Sequence, residues 1–89
     1  MKRDVQSLLD MLQSAEIVTE YISGRSREDL ATDLQLQDAI IRRLSLIGEA
    51  AKRVSEPTRD RLTTIPWSVI NGMRNRLVHE YDGIDLFDK

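Results

Sequence analysis

Asp33 to Val54, DLQLQDAIIRRLSLIGEAAKRV, decides the fold class. Leu36, Ile40, Leu44, Ile47, Ala51 and Val54 recur at steps of three and four, which stacks them on one face of a helix and predicts that face as buried. Asp38 with Arg42 and Glu49 with Arg53 stand four apart in the favourable order, each pair worth about 0.3–0.5 kcal/mol on a helix surface. Thr32 followed by Gln35 predicts a capping box at the start, and Ser55-Glu56-Pro57 predicts the end, because the residue before a proline avoids helical geometry.

Working outward, Val5, Leu8, Leu12, Ala15, Val18 and Ile22 repeat the same spacing and predict a first long helix over Asp4–Ile22 with that stripe facing the core. Gly24 stops it. Ser26 with Asp29 makes a weaker capping box than Thr32 with Gln35, since glutamate or glutamine is the usual third partner. Pro66 suits a first helical turn, where its missing N–H costs nothing. Trp67, Ile70, Met73 or Arg74, Leu77 and Tyr81 follow at helical spacing. No alternating apolar pattern predicts a strand. The expectation is an all-α single domain spanning residues 1–89.

The chain has 89 residues, and a domain of this size buries only about 60% of its unfolded surface, so a homodimer or higher homo-oligomer is expected to complete the core. Hydrophobic residues at 40% and charged residues at 31% fit a globular fold and not a disordered one. No apolar run approaches the roughly 20 residues of a membrane helix, and MKRDVQSLLD lacks a secretory core, so a cytoplasmic protein without membrane partners is expected. Zero cysteines and a single histidine argue against a zinc site, and no cofactor is expected. A net charge of −2 argues against bulk electrostatic coating of nucleic acid, so any RNA contact must be local.

The chemistry concentrates in Pro66–Tyr81, where Arg74, Asn75, Arg76, His79, Glu80 and Tyr81 crowd around two aliphatic residues. At about 100° per residue, Arg74 and Tyr81 fall within roughly 20° of each other, while His79 stands about 140° from Arg74. One straight helix therefore keeps Arg74 and His79 apart. Either the helix unwinds near His79 or two copies of the segment face each other across a dimer axis.

Arg74-Asn75-Arg76-Leu77-Val78-His79-Glu80-Tyr81 resembles the R-x-x-x-x-H-x-Y signature of HepT-like proteins, a branch of the HEPN superfamily. IGEAAKRVSE at 47–56 and IPWSVINGMRNRLVHEY at 65–81 are similar to that family in order and spacing. The resemblance implies a HEPN-type up-and-down bundle that dimerises and a ribonuclease toxin of a type VII-like toxin–antitoxin system, with a minimal (MNT-type) nucleotidyltransferase antitoxin as its cognate partner. Residue by residue, it implies Arg74 and His79 as the catalytic pair, Asn75 as a supporting polar group, and Tyr81 as the acceptor to which the antitoxin attaches AMP. The residue types suit metal-independent cleavage. Histidine titrates near neutral pH and serves as acid or base, and a guanidinium donates in a fork to phosphoryl oxygens. Relatives continue past the motif into a further helix, whereas this chain ends eight residues after Tyr81, so the final helix is expected to be shortened or missing.

Plainer readings stand beside these. A lone histidine near a helix end interacts with the helix dipole, Arg74 suits a structural interface, and Trp67 reads as a packing residue. Arg42, Arg43, Lys52 and Arg53 read as a solvated helix face, and Glu49 as the salt-bridge partner of Arg53. The alternative function is a non-catalytic helical module, or a degenerate nuclease, that associates with a nucleotidyltransferase.

Overall fold

A computed structural model describes residues 2–79, with the side chains of Lys2, Val78 and His79 outside that description. Among the described residues five helices follow one another: α1 Lys2–Ile22, α2 Arg27–Thr32, α3 Leu34–Arg53, α4 Glu56–Arg61 and α5 Trp67–His79. Among the described residues there is no strand, as the periodicity predicts. The expected shortened or missing final helix concerns residues beyond 79 and lies outside the described residues.

The α3 helix is the spine, with α1 and α5 both packed against it. Both neighbours run antiparallel to it. Asp4 and Asp10 of α1 meet Ser55 and Arg53 at the far end of α3, and Gly48 and Glu49 meet Arg74 on α5. The stripe predicted for α3 forms the core: Leu36, Ile40, Ala51 and Val54 are buried, with Leu44 and Ile47 half-buried. Leu77 completes the core from α5.

The predicted stripe of α1 faces the core only in part: Leu8 and Val18 are half-buried, but Val5 and Leu12 are 52% and 55% exposed and Ala15 and Ile22 are exposed too, whereas Asp4, Ser7 and Ser14 are buried. Ser7 and Ser14 are seven residues apart and share one face, and their small side chains let the helix backbones come close. Small size and hydrogen bonding help choose the packed face here, leaving Val5, Leu9 and Leu12 outward.

Helix ends follow local chemistry, with two corrections. Asp33 caps α3, its carboxylate accepting from the Leu36 N–H at 3.0 Å; Thr32 is instead the last residue of α2, its hydroxyl donating to the Glu28 carbonyl. Aspartate outcompetes threonine because its short carboxylate reaches the third amide and favours the positive end of the helix. The Ser26 capping box on α2 is complete, with Asp29 N–H to Ser26 Oγ and Ser26 N–H to Asp29 Oδ2 both 3.0 Å. Gly24 takes φ 75°, the left-handed turn that ends α1. Pro57 does not simply end α3; it occupies the first turn of α4, where its missing N–H is tolerated. The start of that helix is held from another element. Asp4 accepts from the Ser55 N–H at 2.9 Å, the Ser55 hydroxyl at 2.6 Å and the Thr58 hydroxyl at 2.5 Å. Those bonds pull the Asp4 carboxyl down to about pKa 2, the Ser55 hydroxyl contributing most.

Candidate active site

Arg74 and Glu49 face each other where α5 crosses α3. Gly48 makes this crossing close: a methyl built on its Cα would stand 2.5 Å from Arg74 Cβ and 2.7 Å from Cγ, so only glycine fits. With the stem of Arg74 pressed on the α3 backbone, its Nε donates to Glu49 Oε2 at 2.9 Å. Its other branch donates through Nη1 to Asn75 Oδ1 at 3.2 Å. The Arg74 side chain is 18% exposed and that of Glu49 43%, so the arginine is held in the helix seam while its partner borders water.

This arrangement corrects the expected Glu49–Arg53 pair. Glu49 bonds Arg74, and Arg53 reaches Asp10 on α1 at 3.9 Å. A guanidinium donating directly through Nε beats a flexible neighbour one turn along the same helix, because the bond is short and partly shielded. The hydrogen bond from Arg74, partly offset by burial, holds the Glu49 carboxyl below the usual carboxylate range. Glu49 is thus anionic at neutral pH. It orients the arginine and does not serve as a proton donor there.

Of the site residues predicted from sequence, Arg74 and Asn75 are brought together by a direct hydrogen bond. The backbone of α5 stays helical as far as His79, but the His79 side chain and all of Tyr81 lie outside the described residues. His79 stands five positions beyond Arg74, a rotation of about 140° about the helix axis. Unwinding ahead of His79 is therefore removed as a way of joining them within one chain.

Two residues important here were missed from sequence. Gly48 carried a signal: a glycine inside a strongly periodic helix costs about 1 kcal/mol against alanine and calls for a packing reason. Arg59 carried none, because it belongs to the short α4, which was not predicted. Its side chain joins Lys52, Trp67 and Asn71 around a groove between α3, α4 and α5. Among the described residues no group of histidine, cysteine and carboxylate side chains is arranged to hold a metal, and no helix is long and apolar enough to cross a membrane.

A family model described as "Ribonuclease HepT-like" matches residues 11–88. Over 87 residues the chain is 39% identical to a Methanocaldococcus jannaschii protein named "Gamma-glutamylcyclotransferase and putative RNase"; the match covers 97% of this chain and 39% of that one. It is also 39% identical to a "Putative RNase" of Caldanaerobacter subterraneus, covering 96% of this chain and 76% of the relative. A "Probable ribonuclease HepT" of Thermococcus cleftensis is 34% identical, covering 97% and 79%. The chain thus spans well under half of the first relative and about three quarters of the other two. No solved structure matches.

Proposed function

The chain belongs to the HepT-like ribonuclease family, and from that premise we propose that it is a metal-independent endoribonuclease acting through Arg74 and His79. The observation that carries this reading is the fixing of Arg74, held by Glu49 and Asn75 on the same helix that carries His79. In the proposed reaction, a base removes the proton of a ribose 2′-hydroxyl, whose oxygen attacks the adjacent phosphorus. The bond to the 5′-oxygen breaks, and an acid returns a proton to that oxygen. A 2′,3′-cyclic phosphate and a free 5′-hydroxyl result. His79 serves as the base or the acid, while the preset Arg74 guanidinium stabilises the charge that builds on the phosphoryl oxygens.

The 140° separation on a continuous helix supports a composite site. Two antiparallel copies of α5, one from each protomer of a homodimer, would set Arg74 of one beside His79 of the other. In this reading the protein is the toxin of a toxin–antitoxin pair. Its nucleotidyltransferase partner silences it by attaching AMP to Tyr81, whose added phosphate would compete with RNA for the Arg74 cation. Intact-mass measurement after co-expression with the transferase tests that control, and an unmodified Tyr81 would remove it. The decisive test is His79→Ala: the variant is expected to stay folded and dimeric and to lose RNA cleavage. Cleavage at the wild-type rate would refute the proposal.

A further inference from the structure

Beside Arg74 lies a groove that the catalytic proposal does not use. Its inner end, about 40 Å³, is bounded by Gly48, Lys52, Arg59, Trp67 and Asn71. A second, open hollow of about 840 Å³, flanked by Glu56 and Asp60, shares Arg59, Trp67 and Asn71 with it. Gly48 places the inner end against the stem of Arg74. On α5, Trp67, Asn71 and Arg74 fall within about 60° of one another, so the groove and the proposed catalytic arginine share one face of that helix. Trp67 and Arg74 are seven residues apart, about 10 Å along the axis.

Lys52 stands at the inner end and Glu56 and Asp60 at the outer, with Arg59 lining both. Among the described residues neither inner cation is engaged in a salt bridge, whereas Arg53 and Arg74 are. Between the two ends sits the chain's single tryptophan, its ring fixed by an Nε1–H bond to the Leu62 carbonyl at 3.0 Å. Cations beside a fixed aromatic ring are the combination that holds single-stranded nucleic acid, by phosphate contact and base stacking. The acidic outer rim repels a second phosphate and limits the groove to a short length of strand.

We propose that this groove binds the nucleotide adjoining the scissile phosphate of single-stranded RNA, its phosphate held by Lys52 and Arg59 and its base stacked on Trp67. The inference rests on the ribonuclease reading of Arg74 for its placement, but its binding test does not need cleavage. A short 2′-O-methyl oligoribonucleotide lacks the attacking hydroxyl and cannot be cut, and emission from Trp67 is the protein's only tryptophan signal. Titrating the full chain with this probe is expected to quench that emission saturably. Replacing Lys52 and Arg59 together by alanine should weaken binding about tenfold. It should also flatten the dependence of log K on log salt by about 0.7, the share of one phosphate on a single strand. Circular dichroism checks that the double variant is folded; if it is not, Lys52→Glu, at an exposed position, replaces it with the same expectation. Unchanged quenching and salt slope in the folded variant, or no quenching of the wild type, would overturn the groove even if the wild type cleaves RNA. Quenching lost in the variant, from a wild type that cleaves nothing, would uphold the groove and dismiss the nuclease.

Discussion

Alanine placed at Gly48 and at Gly72 makes the same chemical change in two helices, and the structure assigns the two changes opposite signs. Each gains about 0.5–1 kcal/mol of helix stability from replacing glycine. At Gly72, among the described residues, nothing lies within 4 Å of the new methyl, so the gain stands. At Gly48 the methyl would meet Arg74 Cβ at 2.5 Å and Cα at 3.4 Å. Because Cβ is fixed to the backbone, relief requires α5 to retreat by roughly 1 Å to reach ordinary carbon contact. Overpacking of this kind costs about 1–3 kcal/mol, so Gly48→Ala is expected to be neutral to destabilising by up to about 2.5 kcal/mol. The difference between the variants isolates the steric cost. At about 4–8 °C per kcal/mol for a domain of this size, Gly48→Ala should melt at least about 4 °C below Gly72→Ala. Thermal denaturation by circular dichroism, at one protein concentration because association raises Tm, reads it directly. The same retreat moves Arg74 off Glu49 and is expected to cost RNA cleavage on the order of 100-fold. Equal melting temperatures, or a more stable Gly48→Ala, would refute the close crossing and the positioning of Arg74 built on it.

Two further outcomes follow from the carboxylates. Asp4 titrates near 3.8 in the unfolded chain and near 2 when folded, so the unfolded state takes up its proton first. Its contribution is complete above about pH 5 and disappears as pH falls to about 2. The Tm gap between wild type and Asp4→Asn should be wide at neutral pH and close towards pH 2, and a gap independent of pH would contradict the hydrogen-bonding scheme. Glu49→Gln keeps the shape but removes the charge from a partly exposed pair, so stability should change by less than about 1 kcal/mol. Cleavage is expected to fall about tenfold or more through a looser Arg74; unaltered kcat would show that Glu49 does not position it.

The sequence pattern made α3 legible because a stripe such as Leu36, Ile40, Ala51 and Val54 has one plausible use in a small domain. The same logic was only partly right on α1, where Leu8 and Val18 are half-buried but Val5 and Leu12 are exposed. Periodicity measures amphipathicity, and Val5 and Leu12 are amphipathically correct while Ser7 and Ser14 do the packing. Pro57 was ambiguous by nature, since proline both stops one helix and starts the next. Arg74 was legible as a polar residue needing a purpose. Its bond to Glu49 was not, because Arg53 offered a local partner and the antiparallel register of α3 and α5 appears in neither helix alone. Gly48 encodes that register, through what it omits.

The Asp4 clasp also bears on kinetics. It joins residues 51 and 54 positions apart in sequence, so the chain must close a long loop before the bonds can repay the entropy of closure. Helices α1 and α3 have local reasons to form earlier, whereas the clasp needs α4 already turned towards α1. Its bonds therefore belong to the downhill side of the folding barrier, and removing them should accelerate unfolding while leaving the refolding rate nearly untouched. A hydrogen-bonded aspartate at the start of the chain would then set how long the folded state lasts more than how quickly it is reached.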